Sequence, residues 1–133
     1  VKVTGLDGKT YSWTFSGNMP DYDDEKTRSS LHLLARNILK SIYPMDRILE
    51  EVSLPGSNGL TADFWLPLRK TIVEVHGEQH YKYIPFFHNT VLNFYHSKRN
   101  DKNKAEWCSI NNIFLIELPF NESEQQWRKR IEN

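Results

Sequence analysis

Hydrophobic positions along the chain switch between a two-residue and a helical period, and the switches predict the elements. Val1 to Thr4 and Thr10 to Phe15 alternate as short strands around Leu6-Asp7-Gly8-Lys9, where Asp-Gly supplies the positive φ of a tight hairpin. This hairpin reads as an ornament on the core. Gly17 to Asp24 is a loop, after which Leu31, Leu34, Ala35, Ile38, Leu39 and Ile42 recur at helical spacing until Pro44 ends the helix. Three strands are then expected at Ile48 to Leu54, Thr61 to Leu66 and Lys70 to Val75, with Pro55-Gly56-Ser57-Asn58-Gly59 as the first connecting loop. Glu78 to Thr90 is too aromatic and too interrupted by proline to assign. A second helix is predicted from about Val91 to Cys108, and Asn111-Asn112 turns the chain into Ile113 to Leu118. That run is apolar on both faces and is expected as a central strand. Ser123 and Gln126 have the spacing of a capping box ahead of a last helix carrying Trp127 and Ile131. The expected class is α/β, in the order hairpin, α, β, β, β, α, β, α.

With 133 residues the chain is long enough for one core and too short for two. Lys plus Arg equals Asp plus Glu, for a formal net charge of zero. Affinity for nucleic acid therefore has to come from local clusters such as Lys98, Arg99, Lys102 and Lys104. Runs such as Glu50-Glu51 and Arg128-Lys129-Arg130 read as solvated faces. The lone Cys108 excludes an internal disulfide framework and a cysteine-rich zinc module. No apolar run has the length of a membrane span and the first residues do not resemble a signal peptide, so an intracellular protein is expected, without a membrane partner. Val1 in place of methionine suits a domain of a longer protein, whose separate recognition module would lie elsewhere.

Two acids stand where apolar residues are expected. Asp63 lies within the run Ala62-Asp63-Phe64-Trp65-Leu66, and Glu74 within Ile72-Val73-Glu74-Val75-His76. A carboxylate inside a strand needs a metal, a hydrogen-bond partner or a proton, and satisfied polar groups at strand ends are the plainer alternative. Alternation puts Ile72, Glu74 and His76 on one face and Val73 and Val75 on the other. If the preceding strand is antiparallel, Asp63 comes close enough to share a divalent cation with this edge, Mg²⁺ (or Mn²⁺) suiting oxygen ligands beside phosphate. His80, in the loop beyond, is the candidate base for an attacking water. On the following helix Asp101 shares a face with Phe94, Ala105 and Cys108. It either points to the site as a second acid or pairs with Lys98 or Lys104 across one turn. A zinc site built from His76, His80, His88, His96 and Cys108 lacks the short fixed spacings that structural zinc prefers. The aromatics from Tyr81 to Tyr95 are expected to form a hydrophobic cluster more than a DNA-stacking surface.

Asp63, then Glu74 and His76 in the next strand, after a helix and a Leu54-Pro55-Gly56 element, resemble the PD-(D/E)XK restriction-endonuclease superfamily, with His76 where a lysine is usual. Ser53-Leu54-Pro55-Gly56, Asp63-Phe64, Val75-His76-Gly77, Gln79-His80-Tyr81, Asn100-Asp101-x-x-Lys104 and the Ile113 to Pro119 strand are more similar to the very-short-patch repair (Vsr-like) endonucleases and the EDxHD group of phage homing endonucleases. The likeness covers residues 27–120, leaving 1–17 as the hairpin and 121–133 as a terminal helix of a single nuclease domain, 1–133. It implies a restriction-endonuclease-like core, α-β-β-β-α-β-α, with a mixed central sheet flanked by helices. It further implies Asp63 as main metal ligand, the Val75 carbonyl or Glu74 as another, His76 and His80 as phosphate-contacting and water-activating imidazoles, and Asp101 as the acid that orients one of them. The family's helix glutamate has no clear counterpart, His32 being the best-placed residue, and its structural zinc is unsupported by one cysteine.

These readings combine into a Mg²⁺-dependent DNA endonuclease or nickase of a phage or mobile element acting in a prokaryotic cytoplasm or nucleoid. Arg36, Lys98, Arg99 and Lys102 are the expected phosphate contacts, and a homodimer partner would supply the second cut. The alternatives are a nucleic-acid-binding domain on a non-catalytic scaffold and a nuclease for RNA or branched DNA.

Overall fold

A computed structural model of the chain describes residues 1–14, 29–78 and 91–132. The elements follow the expected order. A hairpin of β1 (Lys2–Thr4) and β2 (Thr10–Ser12) precedes α1 (Ser30–Ile42), β3 (Leu49–Ser53), β4 (Thr61–Leu66), β5 (Thr71–His76), α2 (Val91–Ile110), β6 (Phe114–Pro119) and α3 (Glu124–Glu132). The protein is mixed α/β, with a two-stranded sheet and a mixed four-stranded sheet of order β3-β4-β5-β6. Its first three strands pair antiparallel, whereas β5 and β6 run parallel. Among the described residues no helix is long and apolar enough to cross a membrane.

Each face of the large sheet carries its own core. On one, Trp65, Ile72 and Val52 pack against Trp107 and Cys108 of α2. On the other, Phe64, Leu66 and Val73 pack against Ala35, Ile38 and Leu39 of α1 and Trp127 and Ile131 of α3. The leucine and isoleucine stripe that predicts α1 is therefore the stripe it buries. The capping box forms as spaced: Ser123 N–H donates to Gln126 Oε1 at 2.8 Å and Gln126 N–H to Ser123 Oγ at 3.2 Å. At the start of α1, Ser29 is the N-cap and its Oγ accepts the His32 N–H at 3.1 Å. Ser29→Ala should lower the unfolding free energy by about 1 kcal/mol in a urea titration. A midpoint equal to wild type would show that the cap carries none of the helix's stability.

Two expectations need correction. The hairpin is part of the core: Val3 and Trp13 are buried, and Trp13 lies 4.6 Å from Trp65 and edge-on to Trp107 at 5.3 Å, between ring centroids. Alternation over three residues is too short to reveal a docking face. The Leu54-Pro55-Gly56 element belongs to this contact. Gly56 takes φ +74°, its carbonyl accepts the Leu6 N–H at 2.8 Å, and a Cβ there would sit 2.5 Å from the Gly5 Cα. No other residue fits there. Secondly, β6 is not central: it ends the strand order, paired among the described residues with β5 alone. Its two apolar faces reflect cover on both sides, Leu115 lying on the Trp107 core and Ile116 and Leu118 on the α1 core. Face burial and edge position are independent properties of a strand.

Candidate active site

The chemistry collects where β4 and β5 part. Their ladder pairs Leu66 with Thr71, Trp65 with Ile72 and Phe64 with Val73. The next residues in register are Asp63 and Glu74, and there side chains replace the backbone ladder. The Asp63 N–H donates to Glu74 Oε2 at 2.6 Å, and the Val75 N–H donates to Asp63 Oδ2 at 2.8 Å. Each acid thus satisfies the main chain of the opposite strand, which lets the strands splay without leaving buried N–H groups unpaired.

Alternation also slips at this level. Ala62 and Trp65 lie on one core while Phe64 and Leu66 lie on the other, and Leu49 and Val52 of β3 share a core although three residues apart. Glu51, between the paired positions, has φ +52°. The distortion frees Asp63 from the Trp65 face. It lines instead a cleft of about 400 Å³ with Ser29, Ser30, Leu31, His32, Val75, Gly77, Glu78 and Phe120. The cleft therefore lies at the end of the sheet, between the first turn of α1 and the ends of β5 and β6.

Glu74 and Val75 are separated by this geometry. Val75 lines the cleft and Glu74 does not. Glu74 is 3 % exposed and its two oxygens are committed, Oε2 to the Asp63 N–H and Oε1 to the Lys104 ammonium. Burial, reinforced by the neighbouring Asp63 charge, outweighs Lys104 and the Asp63 N–H and pushes the Glu74 carboxyl up to about 7. In this arrangement Glu74 braces the splayed strands and lies off the cleft lining. Lys104, one of the two partners considered for Asp101, is taken by Glu74. Asp101 itself is half-buried on α2.

His76 is likewise absent from the cleft lining. It is buried, with Nδ1 3.5 Å from Glu117 Oε2 on the neighbouring strand. His80, with His88 and the loop aromatics around it, lies outside the described residues. Cys108 packs in the Trp107 core, where burial first and the Glu74 charge second push its thiol up to about 12. Among the described residues no three His, Cys, Asp or Glu side chains gather as a metal cage. The cleft is lined by Asp63 and His32, with Glu78 and Val75 also on its wall.

Arg36 requires the largest correction. Expected to contact phosphate, it is 4 % exposed, with Nε donating to Glu50 Oε2 at 2.7 Å and Nη2 to Glu50 Oε1 at 2.9 Å. His32 completes the cluster, Nε2 lying 2.6 Å from Glu50 Oε1 and its ring stacked on Phe64 at 4.5 Å. Burial alone would raise the Glu50 carboxyl, but the hydrogen bonds and charges of His32 and Arg36 overcome it and hold it down at about 2. Glu50 was hidden in an apparently solvated acidic pair. Of its neighbours only Ile48 shares its face, because the slip at Glu51 puts Val52 and Leu54 on the other core, so strand parity gave no dependable signal. Glu78 fell in the stretch that carried no assignable pattern.

Lys98, Arg99 and Lys102 are exposed on α2. Since β5 and β6 are parallel, α2 must carry the chain back from the cleft end of the sheet, so its first half lies at that end. Lys104 meets Glu74 beside the cleft. Lys98 and Arg99, five and six residues earlier, thus lie about 8 Å farther along the helix axis, toward the helix start.

No protein-family model matches the chain, and no solved structure matches it. One relative is a viral protein. Over 68 residues the chain is 41% identical to the uncharacterized protein 307L of Invertebrate iridescent virus 6, a match covering 49% of this chain and 34% of that protein. The chain thus aligns with about a third of the length of that curated relative.

Proposed function

We propose that the chain is the catalytic unit of a divalent-metal-dependent DNA endonuclease or nickase. The observation that supports it best is the Asp63 carboxylate, fixed by the Val75 N–H at the splayed end of β4 and β5 and facing an open cleft with His32. The element order and the mixed sheet support the finer fold reading we propose, a restriction-endonuclease-like core. Asp63 and the Val75 carbonyl would hold Mg²⁺ or Mn²⁺, water and phosphate oxygens completing the shell, since such ions commonly take one or two carboxylates from the protein. When bound, the cation polarises the scissile phosphate and stabilises the leaving oxygen. Asp63 anchors the site while the Glu74–Lys104 pair holds the strands open beneath it. His80 takes the proton of the attacking water. Lys98, Arg99 and Lys102 meet the phosphate backbone from α2, which positions DNA without choosing its sequence.

A second reading is a nucleic-acid-binding domain without turnover. It is favoured by the absence of a three-residue metal cage among the described residues and by an imidazole, not an acid, on the first turn of α1. Supercoiled plasmid separates the two. Wild-type protein with Mg²⁺ or Mn²⁺ should relax it, and Asp63→Ala or His80→Ala should slow relaxation by about 100-fold or more. Equal rates in all three proteins would remove the catalytic reading. Competition by RNA and branched DNA at fixed salt identifies the substrate class.

A further inference from the structure

Arg36 cannot release its proton inside a protein, so the carboxylate it clasps through two N–H groups is ionised and able only to accept. The 2.6 Å contact between Glu50 Oε1 and His32 Nε2 therefore has the imidazole as donor. In the neutral ring this fixes the Nε2–H tautomer and leaves the lone pair on Nδ1. Stacking on Phe64, at an interplanar angle of 23°, holds the ring plane. Nδ1 makes no hydrogen bond with a described residue, and it is not among the buried polar atoms sealed from solvent. His32 lines the cleft beside Asp63. The open nitrogen is thus reached from the cleft.

We infer that Glu50 and Arg36 orient His32 as a nitrogen ligand, through Nδ1, for a first-row transition metal ion bound jointly with the Asp63 carboxylate. The inference rests on the metal site proposed above and deepens it by naming the class of metal. An imidazole paired with a carboxylate favours Mn²⁺, Co²⁺ or Zn²⁺ over Mg²⁺, which prefers an all-oxygen octahedron. The arrangement is that of metal-binding histidines whose second nitrogen is held by a carboxylate, which fixes the ring and raises its basicity. His32 would touch the metal; Glu50 and Arg36 are positioning residues.

The test titrates Co²⁺ into the intact chain, read by its visible absorption, and Mn²⁺, read by paramagnetic resonance. Both should bind in the presence of excess Mg²⁺. His32→Gln should weaken Co²⁺ binding by at least the loss seen for Glu50→Gln, which should be about 10–100-fold. Because Glu50→Gln disturbs a buried ion pair, a measurement on the unaltered chain accompanies it. In ¹⁵N spectra recorded where the ring is neutral, the His32 proton should sit on Nε2, and Nδ1 should shift on adding Zn²⁺. A neutral ring with its proton on Nδ1 overturns the inference. So does Co²⁺ binding unchanged in His32→Gln but lost in Asp63→Asn, a result that leaves the nuclease reading standing. Binding lost in neither variant, or absent from wild type, removes the metal site and the inference together.

Discussion

Replacing Glu50 by alanine should cost about 3–5 kcal/mol of unfolding free energy, because it removes the carboxylate that two N–H groups of the buried Arg36 guanidinium bond. Two N–H groups of Arg36 donate to Glu50, and the His32 ring meets the same carboxylate. Replacing His32, Arg36 and Glu50 together with apolar residues of similar volume should cost far less, since desolvation of the pair disappears with its attraction. The linkage gives a second handle. Glu50 titrates near 2 in the folded protein against an ordinary 4.5, so its contribution is complete above about pH 4.5 and is lost as pH falls toward 2. Urea midpoints measured across that range should fall with acid in wild type and flatten there in Glu50→Ala. A single substitution as mild as the triple one would show that the cluster is dispensable.

Lys104→Met should be nearly as severe, and its cost should depend on pH with the opposite sign. Glu74 is an acid whose folded value, about 7, lies above its ordinary 4.5. The folded state holds that proton more tightly, so the stability tied to it is present below about pH 4.5 and is lost as pH rises toward 7. Lys104 limits the loss by pairing with the ionised form. Without it a buried carboxylate faces the Asp63 charge alone, at a cost of about 3–5 kcal/mol above neutrality that shrinks when acid neutralises Glu74. Thermal midpoints of wild type and Lys104→Met should therefore converge toward pH 5 and diverge toward pH 8. Parallel profiles would mean that the ammonium does not hold Glu74. Since Glu74 also accepts the Asp63 N–H, the same variant should impair plasmid relaxation beyond its loss of stability.

Much of the fold was legible because period reports burial. The stripe of α1, the capping box of α3 and the three antiparallel strands all follow from local spacing. The site was legible in composition more than in geometry. Asp63 and Val75 both line the cleft and share a hydrogen bond. Strict alternation, however, would have placed Asp63 with Trp65, and no local signal announced the slip at Glu51 and Asp63 that turns it. Arg36 and Glu50 were separately visible as charges. Their pairing depends on α1 crossing β3, a contact between residues 14 apart, which no periodicity of either segment contains. Glu74 was recognised as an acid out of place, but its partner, 30 residues away on α2, decides what it does.

The opening strand is tied to the far end of the sequence: Thr4 N–H donates to Asn111 Oδ1 at 2.7 Å, and Asn111 Nδ2 returns a bond to the Thr4 carbonyl at 2.9 Å. On a ribosome adding about 5–20 residues per second, Val3 and Trp13 are made on the order of 5–20 s before Trp107 and Asn111. Two apolar side chains that complete the interior thus spend that interval without their last partners, and a chaperone or a neighbouring nascent chain can reach them.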